Sequence, residues 1–326
     1  MAAALSKQDQ PFFSVVIPVY NRAPLLGAAL ESVRAQRCQD FEIIVVDDGS
    51  NDNPQSVVTA LDDPRIRFIS QSNGGGGKAR NTGFDAARGK FVATLDSDDM
   101  FLPDHLATMK KLLDGTVNTV GYARVVVDRG DGRQFLKPPR PLRAGENMAT
   151  YLLCDRGFVP TSTTVVPTHM ARRVRHPESL RAAEDTDFDI RLFLAGNKFV
   201  MAEEPGAIWR DTFDPGRLSH ARDDDEPELK RWIEELRPRI PARAYYGCRG
   251  WAYAKFVAAK NPLKAFRLYL TALRENCYAP RLAIVIAMQV FLPRRLYRFV
   301  ADTAIAKLRA GFRLHRNHVA AHIEQV

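Results

Sequence analysis

Over the first hundred residues, short unbroken apolar runs alternate with segments whose apolar positions recur every three to four residues. The runs are Ser14–Val19 (SVVIPV), Phe41–Val46 (FEIIVV), Ile66–Ile69 and Lys90–Leu95. Between them, Ala23–Arg37 sets Leu26, Leu30 and Val33 at helical spacing, a weaker helix follows Pro54, and Gly77–Ala87 reads as a third helix. Strands that are apolar throughout, rather than alternating, need cover on both faces. Their alternation with helices, about every 20–25 residues, predicts an α/β fold with a mostly parallel, Rossmann-like sheet flanked by helices. In such sheets ligands bind beyond the carboxyl ends of the strands. Three of these runs end in polar groups, Tyr20-Asn21, Asp47-Asp48 and Asp96–Asp99, which are therefore expected to meet at one edge.

The later pattern is looser. Leu106–Leu113 reads as a helix and Thr119–Asp128 as one strand entering a turn at Gly130-Asp131-Gly132. Ser162–Val166 reads as a strand, Asp185–Ala195 as an amphipathic helix closed by Gly196, and Lys198–Met201 and Ala207–Trp209 as short strands. The acidic run Asp223–Glu228 reads as a boundary, giving an α/β domain over residues 1–222 and a basic helical C-terminal region over 223–326. There, Asn261-Pro262 opens a helix carrying Leu263, Phe266, Leu270 and Leu273. Leu282–Leu292 is apolar but too short to span a bilayer.

Charge sharpens that division. The net charge is +9, yet from Leu229 onward 19 Lys and Arg face 5 Asp and Glu. A near-neutral or acidic body thus precedes a basic region, suited to an anionic membrane face or to simple packing on the body. Nucleic-acid binding is not expected, because no zinc-finger or RRM-like element accompanies the charge. The start, MAAALSKQDQPF, does not read as a secretory signal. Cys38, Cys154, Cys248 and Cys277 are too dispersed for a disulfide framework or zinc site. A cytoplasmic setting, with peripheral attachment to the inner membrane face, is the expectation. His315, His318 and His322 lie in the basic tail and read as solvated.

The chemistry concentrates in ATLDSDDMFL, residues 93–102, where an apolar strand ends on Asp96, Asp98 and Asp99. Clustered carboxylates repel and resist burial. One or two could serve only as turn and cap residues before Pro103-Asp104. Asp96-Ser97-Asp98 fits the pattern Asp-any-Asp, and two carboxylates there, with Asp99 adjacent, can share a hard dication such as Mg²⁺ with substrate phosphates, which turns the repulsion into attraction. Asp48 in DDGS can accept hydrogen bonds from a nucleoside, or simply form a turn. Asn73–Gly83 (NGGGGKARNTG) is not a phosphate loop, since Lys78 is followed by Ala79, nor a dinucleotide fingerprint, since it follows the third strand. It reads as a mobile loop entering a helix, with Lys78 and Arg80 in the first turn able to reach phosphate. Glu184-Asp185 opens a helix, either to suit its dipole or to supply a general base.

Together, SVVIPVYNRAPLL, FEIIVVDDGSND, NGGGGKARNTGFDAARGKFVATLDSDD and AEDTDFDIRLFLAG resemble the family 2 glycosyltransferases of GT-A fold, over roughly residues 12–220. The resemblance implies inverting transfer from a nucleotide-diphosphate sugar, a UDP-sugar by preference, to a hydroxyl of a glycan or lipid-linked acceptor, with Mg²⁺ or Mn²⁺ as cofactor. It implies a nucleoside pocket lined by Pro18, Tyr20 and Asp48, with Arg80 and Asp96 near the nucleotide. It implies Asp98 as the metal ligand and Asp185 as the base. Glu184, and Arg210, Ser219 and His220 around DTFDPGRLSH, become donor- or acceptor-loop candidates. The consecutive glycines Gly74–Gly77 depart from the family pattern and suggest extra mobility. The alternatives are a non-catalytic nucleotide-sugar-binding protein or a nucleotidyltransferase; the latter wants a Gly-rich basic loop after the first strand, which YNRAPLLG is not. The same segment lacks the glycine fingerprint of an NAD-dependent dehydrogenase.

Overall fold

The fold is described from a computed structural model, which describes residues 10–181, 183–211, 225–293 and 296–297. The chain divides into two compact units, up to Tyr245 and from Tyr246 onward.

In the first unit the apolar runs become β1 (Phe13–Val19), β2 (Phe41–Asp47), β3 (Ile66–Ser70) and β4 (Phe91–Thr94). They pair in parallel in the order β4-β1-β2-β3. Helices α1 (Ala23–Arg34), α2 (Pro54–Leu61) and α3 (Gly76–Ala86) are the crossovers. Side-chain alternation explains why the runs had to be apolar throughout. Val15 and Ile17 of β1 join the core with Leu26, Leu30 and Val33 of α1, whereas Val16 joins the opposite core with Ala79 and Phe84 of α3. On that second face α3 lies so close that a Cβ on Gly83 would stand 2.3 Å from Val16 Cγ1. Any side chain at Gly83 would push the helix off the sheet.

The sheet continues beyond β4 with β9 (Val165–Pro167), antiparallel, then β6 (Thr119–Tyr122) and β10 (Lys198–Met201). A second sheet has the order β5-β11-β7-β8, built from β5 (Met100–Phe101), β7 (Val125–Asp128), β8 (Gln134–Lys137) and β11 (Ala207–Arg210). The segment Thr119–Asp128 is thus two strands in two sheets rather than one strand. At the break, the Ala123 N–H donates to Thr163 Oγ1 and the Ala123 carbonyl accepts from that hydroxyl. A side chain therefore satisfies the backbone where a neighbouring strand would, and the chain turns into the other sheet. Likewise Ser162–Val166 is not one strand: Thr161–Thr163 forms a 3₁₀ turn before β9.

Helix α4 (His105–Leu113) follows β5, α5 (Met148–Cys154) and α6 (Thr168–Val174) flank β9, and α7 (Glu184–Leu194) precedes β10. The sequence pattern foretells α4 and α7; it gives no sign of α5 or β8. Helix α8 (Asp225–Leu236), beyond the expected boundary at residue 222, falls in the first unit. There Trp232 Nε1 of α8 donates to Asp187 Oδ1 of α7 at 2.8 Å.

The second unit begins within α9 (Ala242–Cys248), and contains a π-helical turn at Arg249–Tyr253, α10 (Ala254–Ala258), α11 (Pro262–Arg274) and α12 (Pro280–Phe291). Asn261 caps α11 by accepting from the Lys264 N–H at 2.9 Å, as the Asn-Pro signal implies. No helix among the described residues is long and apolar enough to cross a membrane.

Candidate active site

The polar ends of β1, β2 and β4 do meet. The Asp48 N–H donates to the Val19 carbonyl and the Leu95 N–H to the Val16 carbonyl. Asn21 and Ser50, just past β1 and β2, are joined by a bond from the Asn21 N–H to Ser50 Oγ at 2.9 Å. Pro18 sits within β1 opposite Val46, and Tyr20 is 42% exposed just beyond the strand.

Each acid of the Asp96–Asp99 run has its own partner. Arg22 Nη1, at the start of α1, donates to Asp98 Oδ2 at 2.9 Å. Arg80 of α3 donates from Nη2 to Asp96 Oδ1 at 2.7 Å and from Nη1 to Glu184 Oε1 at 2.6 Å, with Asp185 Oδ1 at 3.9 Å. Burial alone would push the guanidinium toward neutrality, but Asp96, Asp185 and Glu184 more than offset it and keep it charged. Asp99 closes a turn, its N–H donating to the Asp96 carbonyl at 3.0 Å, and its side chain also ties three segments together. Its carboxylate accepts from Ser162 Oγ at 2.5 Å and from the Arg210 N–H at 3.1 Å. Burial, with Asp96 and Asp98 beside it, holds Asp99 well above the usual carboxylate range.

That mutual repulsion bears on a metal. The donors are hard oxygens, and Asp96 and Asp98 stand close enough to Asp99 to raise it. Among the described residues, no group of three or more His, Cys, Asp or Glu is arranged to hold an ion by itself. The donor set therefore fits a dication that takes one carboxylate, Asp98, and draws its other ligands from phosphate oxygens and water, as Mg²⁺ typically does.

Asp48 is buried and faces the glycine-rich loop. Its Oδ1 accepts from Gln71 Nε2 at 2.7 Å and the Gly74 N–H at 2.9 Å, and its Oδ2 from the Gly75 N–H at 2.8 Å. The loop is accordingly pinned at one end by Asp48. At the other, a Cβ on Gly77 would lie 2.8 Å from the Pro177 carbonyl oxygen. Mobility is thus not what the glycine is needed for: α3 has to begin in contact with the chain that leads into α7.

Helix α7 presents two acids of different character. Glu184 is largely buried; burial pushes it up and Asp185 and Asp96 add to this, so that despite Arg80 it is raised to about 7. The Asp185 side chain is 41% exposed, yet its Oδ1 is buried and without a hydrogen-bond partner among the described residues. The exposure falls on the rest of that carboxylate. Asp185 Oδ1 stands 3.9 Å from Nδ1 of His176, a buried residue that sequence reasoning does not single out.

Arg80 thus unites Asp96, Glu184 and Asp185, and Arg22 adds Asp98. Asp48 belongs to the adjoining loop. The Arg210 side chain approaches Met100 Sδ at 3.3 Å, and its backbone serves Asp99. Ser219 and His220 lie outside the described residues. His176 lies outside every motif in the chain, and Arg22, although within SVVIPVYNRAPLL, shows nothing of its pairing there, because each acts through a partner far away in sequence.

The family profile described as Glycosyl transferase family 2 matches residues 14–176. The amylovoran biosynthesis glycosyltransferase AmsB of Erwinia amylovora is 31% identical over 247 residues, 72% of this chain and 80% of that protein. The GalNAc(5)-diNAcBac-PP-undecaprenol beta-1,3-glucosyltransferase of Campylobacter jejuni is 38% identical over 130 residues, 38% of this chain and 42% of that one. Among solved structures, TarS 1-349 of S. aureus in complex with UDP-GlcNAc superposes with a TM-score of 0.60 at 20% identity, covering 85% of this chain and 86% of that one. The mannosyltransferase PcManGT of Pyrobaculum calidifontis, in complex with GDP-Man and Mn²⁺, gives 0.55 at 19% identity, covering 93% and 89%. These two share the fold, and the profile and AmsB carry the relationship: the chain belongs to glycosyl transferase family 2.

Proposed function

We propose that the protein is an inverting glycosyltransferase that moves a sugar from a nucleotide-diphosphate donor, a UDP-sugar by preference, to a hydroxyl of a glycan or lipid-linked acceptor in polysaccharide assembly. The observation that supports this best is the Arg80 cluster, which gathers Asp96, Glu184 and Asp185 at the carboxyl edge of the sheet. The UDP-GlcNAc of TarS and the GDP-Man of PcManGT agree with a nucleotide-diphosphate donor, and only the first with the UDP preference; the amylovoran biosynthesis named for AmsB agrees with polysaccharide assembly, and the undecaprenol-linked substrate in the Campylobacter enzyme's name with a lipid-linked acceptor.

In this reading Asp185 is the base. It removes the acceptor proton as the acceptor oxygen attacks C1 from the face opposite the leaving nucleoside diphosphate, and one displacement inverts the anomeric centre. Glu184, although near neutrality, is closed in against Arg80, whereas Asp185 keeps part of its carboxylate open. Pro18, Tyr20 and Asp48 border the nucleoside, Asp48 by shaping the loop; Arg80 and Asp96 stand by the nucleotide. Asp98 would hold Mg²⁺ or Mn²⁺, which would supply neutralising charge to the diphosphate leaving group. Arg210, Ser219 and His220 belong to the donor side.

The first unit is then catalytic and the second a docking extension. Leu263 and Phe266 on α11 and Ile284 and Phe291 on α12 are exposed, and the Phe266 and Phe291 rings lie 6.1 Å apart. Lys264, Arg267, Arg274 and Arg281 flank them. Apolar side chains next to cations in sequence suit an anionic leaflet, which supports a peripheral position on the inner membrane face. Thermal-shift and turnover screens of nucleotide sugars with and without Mn²⁺ test the donor assignment; failure of every nucleotide sugar to bind would overturn it. Sedimentation with anionic and with neutral vesicles, using the intact chain and Phe266→Asp, tests the membrane face.

A further inference from the structure

Two polar atoms without partners face each other inside the first unit. His176 Nδ1 and Asp185 Oδ1 are both buried, neither has a hydrogen-bond partner among the described residues, and they stand 3.9 Å apart. Buried polar atoms of this kind cost stability unless they find a partner. The small cavity they share, bordered by Thr94, Thr164, Phe188 and Asp189, measures about 10 Å³. That is at the lower bound for a single water, so the two side chains are each other's available partner.

The imidazole is also held in place from three sides. Its ring stacks on Phe188 at 4.1 Å and 21°, with Phe84 at 5.7 Å. Its backbone is clamped by Asn81, which accepts from the His176 N–H at 2.8 Å and donates to the His176 carbonyl at 3.0 Å. Asn81 follows Arg80 on α3, so one turn of helix fixes both the arginine and the histidine beside Asp185. A ring fixed so firmly, with one nitrogen aimed at a carboxylate oxygen, can steer that carboxylate.

We infer that His176 is a positioning residue for Asp185: its Nδ1–H donates to Oδ1, anchoring that oxygen and leaving the other to meet the acceptor hydroxyl. The inference rests on Asp185 being the base. The separation is longer than a hydrogen bond, and catalytic contacts of this kind tighten when substrate closes the site. The charged groups around the pair are Arg80, Glu184 and Asp189 about the carboxylate, and Arg80 and Arg191 about the ring. Burial and the two arginines hold His176 well below its usual range, so the ring is a neutral donor rather than a competing cation. Donation to a carboxylate favours its charged form, which is the form a base requires.

The test has two arms. Nitrogen-15 NMR of the histidine rings, with the His176 signal assigned by its loss in His176→Phe, reads the tautomer directly. An Nδ1–H tautomer whose shift changes in Asp185→Asn supports the contact; an Nε2–H tautomer, or indifference to Asp185→Asn, overturns it whether or not the donor assignment is right. Turnover of UDP-glucose or UDP-GlcNAc, whichever the wild type uses, supplies the second arm. His176→Phe keeps the aromatic stack and should lower kcat about 10- to 100-fold, part of the factor a positioned base contributes. The donor KM should hold, and the acid limb of the rate profile should move to higher pH. His176→Asn restores a donor near Nδ1 and should recover part of kcat. Wild-type kcat and an unmoved acid limb in a folded His176→Phe protein would overturn the inference. Failure of the wild type to turn over any nucleotide sugar would instead count against the donor assignment and leave the NMR arm decisive.

Discussion

Arg80 on α3 reaches Glu184 at the start of α7 with a 2.6 Å hydrogen bond, across 104 residues of chain. The same guanidinium holds Asp96 at 2.7 Å, so one buried cation closes a circuit of acids contributed by the segment just past β4 and by α7. Without it Asp96 would be a half-buried anion lacking compensation, and Glu184, already raised to about 7, would have to take up a proton. Arg80→Ala should therefore destabilise the first unit by about 3–5 kcal/mol, the usual cost of removing one partner of a buried pair. Denaturant unfolding monitored by far-UV circular dichroism measures this. A change within experimental error would mean that the acids relax into solvent.

Asp98→Ala and Asp185→Asn should each suppress sugar transfer by a factor on the order of 10² to 10⁴. The Asp185 side chain is 41% exposed, so Asp185→Asn should leave the unfolding midpoint close to the wild type, whereas Asp98 is 16% exposed and paired with Arg22, so Asp98→Ala should lower it. Steady-state release of nucleoside diphosphate, read beside thermal melts, separates the two effects. Full activity in either variant would exclude the role given to that residue.

Gly77→Ala should be costly although alanine is the better helix former. Its Cβ would lie 2.8 Å from the Pro177 carbonyl oxygen, which belongs to backbone and cannot swing aside. The start of α3 would have to back away from the chain entering α7. A loss of about 1–3 kcal/mol is expected from such overpacking, together with weaker donor binding. Gly115→Ala is a poor control, because Gly115 has φ +76° and would add strain of its own.

His105 makes the fold sensitive to acid. Both ring nitrogens are buried without partners among the described residues, and burial pushes the imidazole down to about 3. Between that value and the ordinary 6.5, the unfolded chain binds a proton that the folded chain refuses, so stability falls as pH is lowered through this window. The slope approaches about 1.4 kcal/mol per pH unit, and His176 acts in the same direction. Asp99 and Glu184, whose raised carboxyls take up protons in the folded chain first, act in the opposite sense, so the readout is a difference: between about pH 7 and about pH 5, urea unfolding should show the wild type losing stability relative to His105→Leu. Equal losses in the two proteins would assign the acid sensitivity elsewhere.

What could be read from the chain followed from how locally each feature is specified. The apolar runs of β1, β2 and β4 dictated their own burial, and the polar residues that end them had to emerge at one edge, so Asp48, Asp96 and Asp98 were found by position. Asp185 was singled out from Glu184 only by the family resemblance, since both open the same helix. The break at Ala123 was invisible, since it depends on the hydroxyl of Thr163, 40 residues away. The glycines before Arg80 pointed to mobility, whereas Gly77 answers to a contact with Pro177 that no local pattern announces.

The sequence by itself determined the strand–helix alternation, the carboxyl edge where the chemistry gathers, the family, and the split between a near-neutral body and a basic end. Only the tertiary structure decided which charges meet. Arg22 joins Asp98 across 76 residues, and Asn81 clamps His176 across 95. Hydrophobic periodicity is written along the chain because each residue faces the core by its own geometry. An ion pair or a clamped ring depends on two segments arriving together, and that follows only once the sheet and its helices have packed.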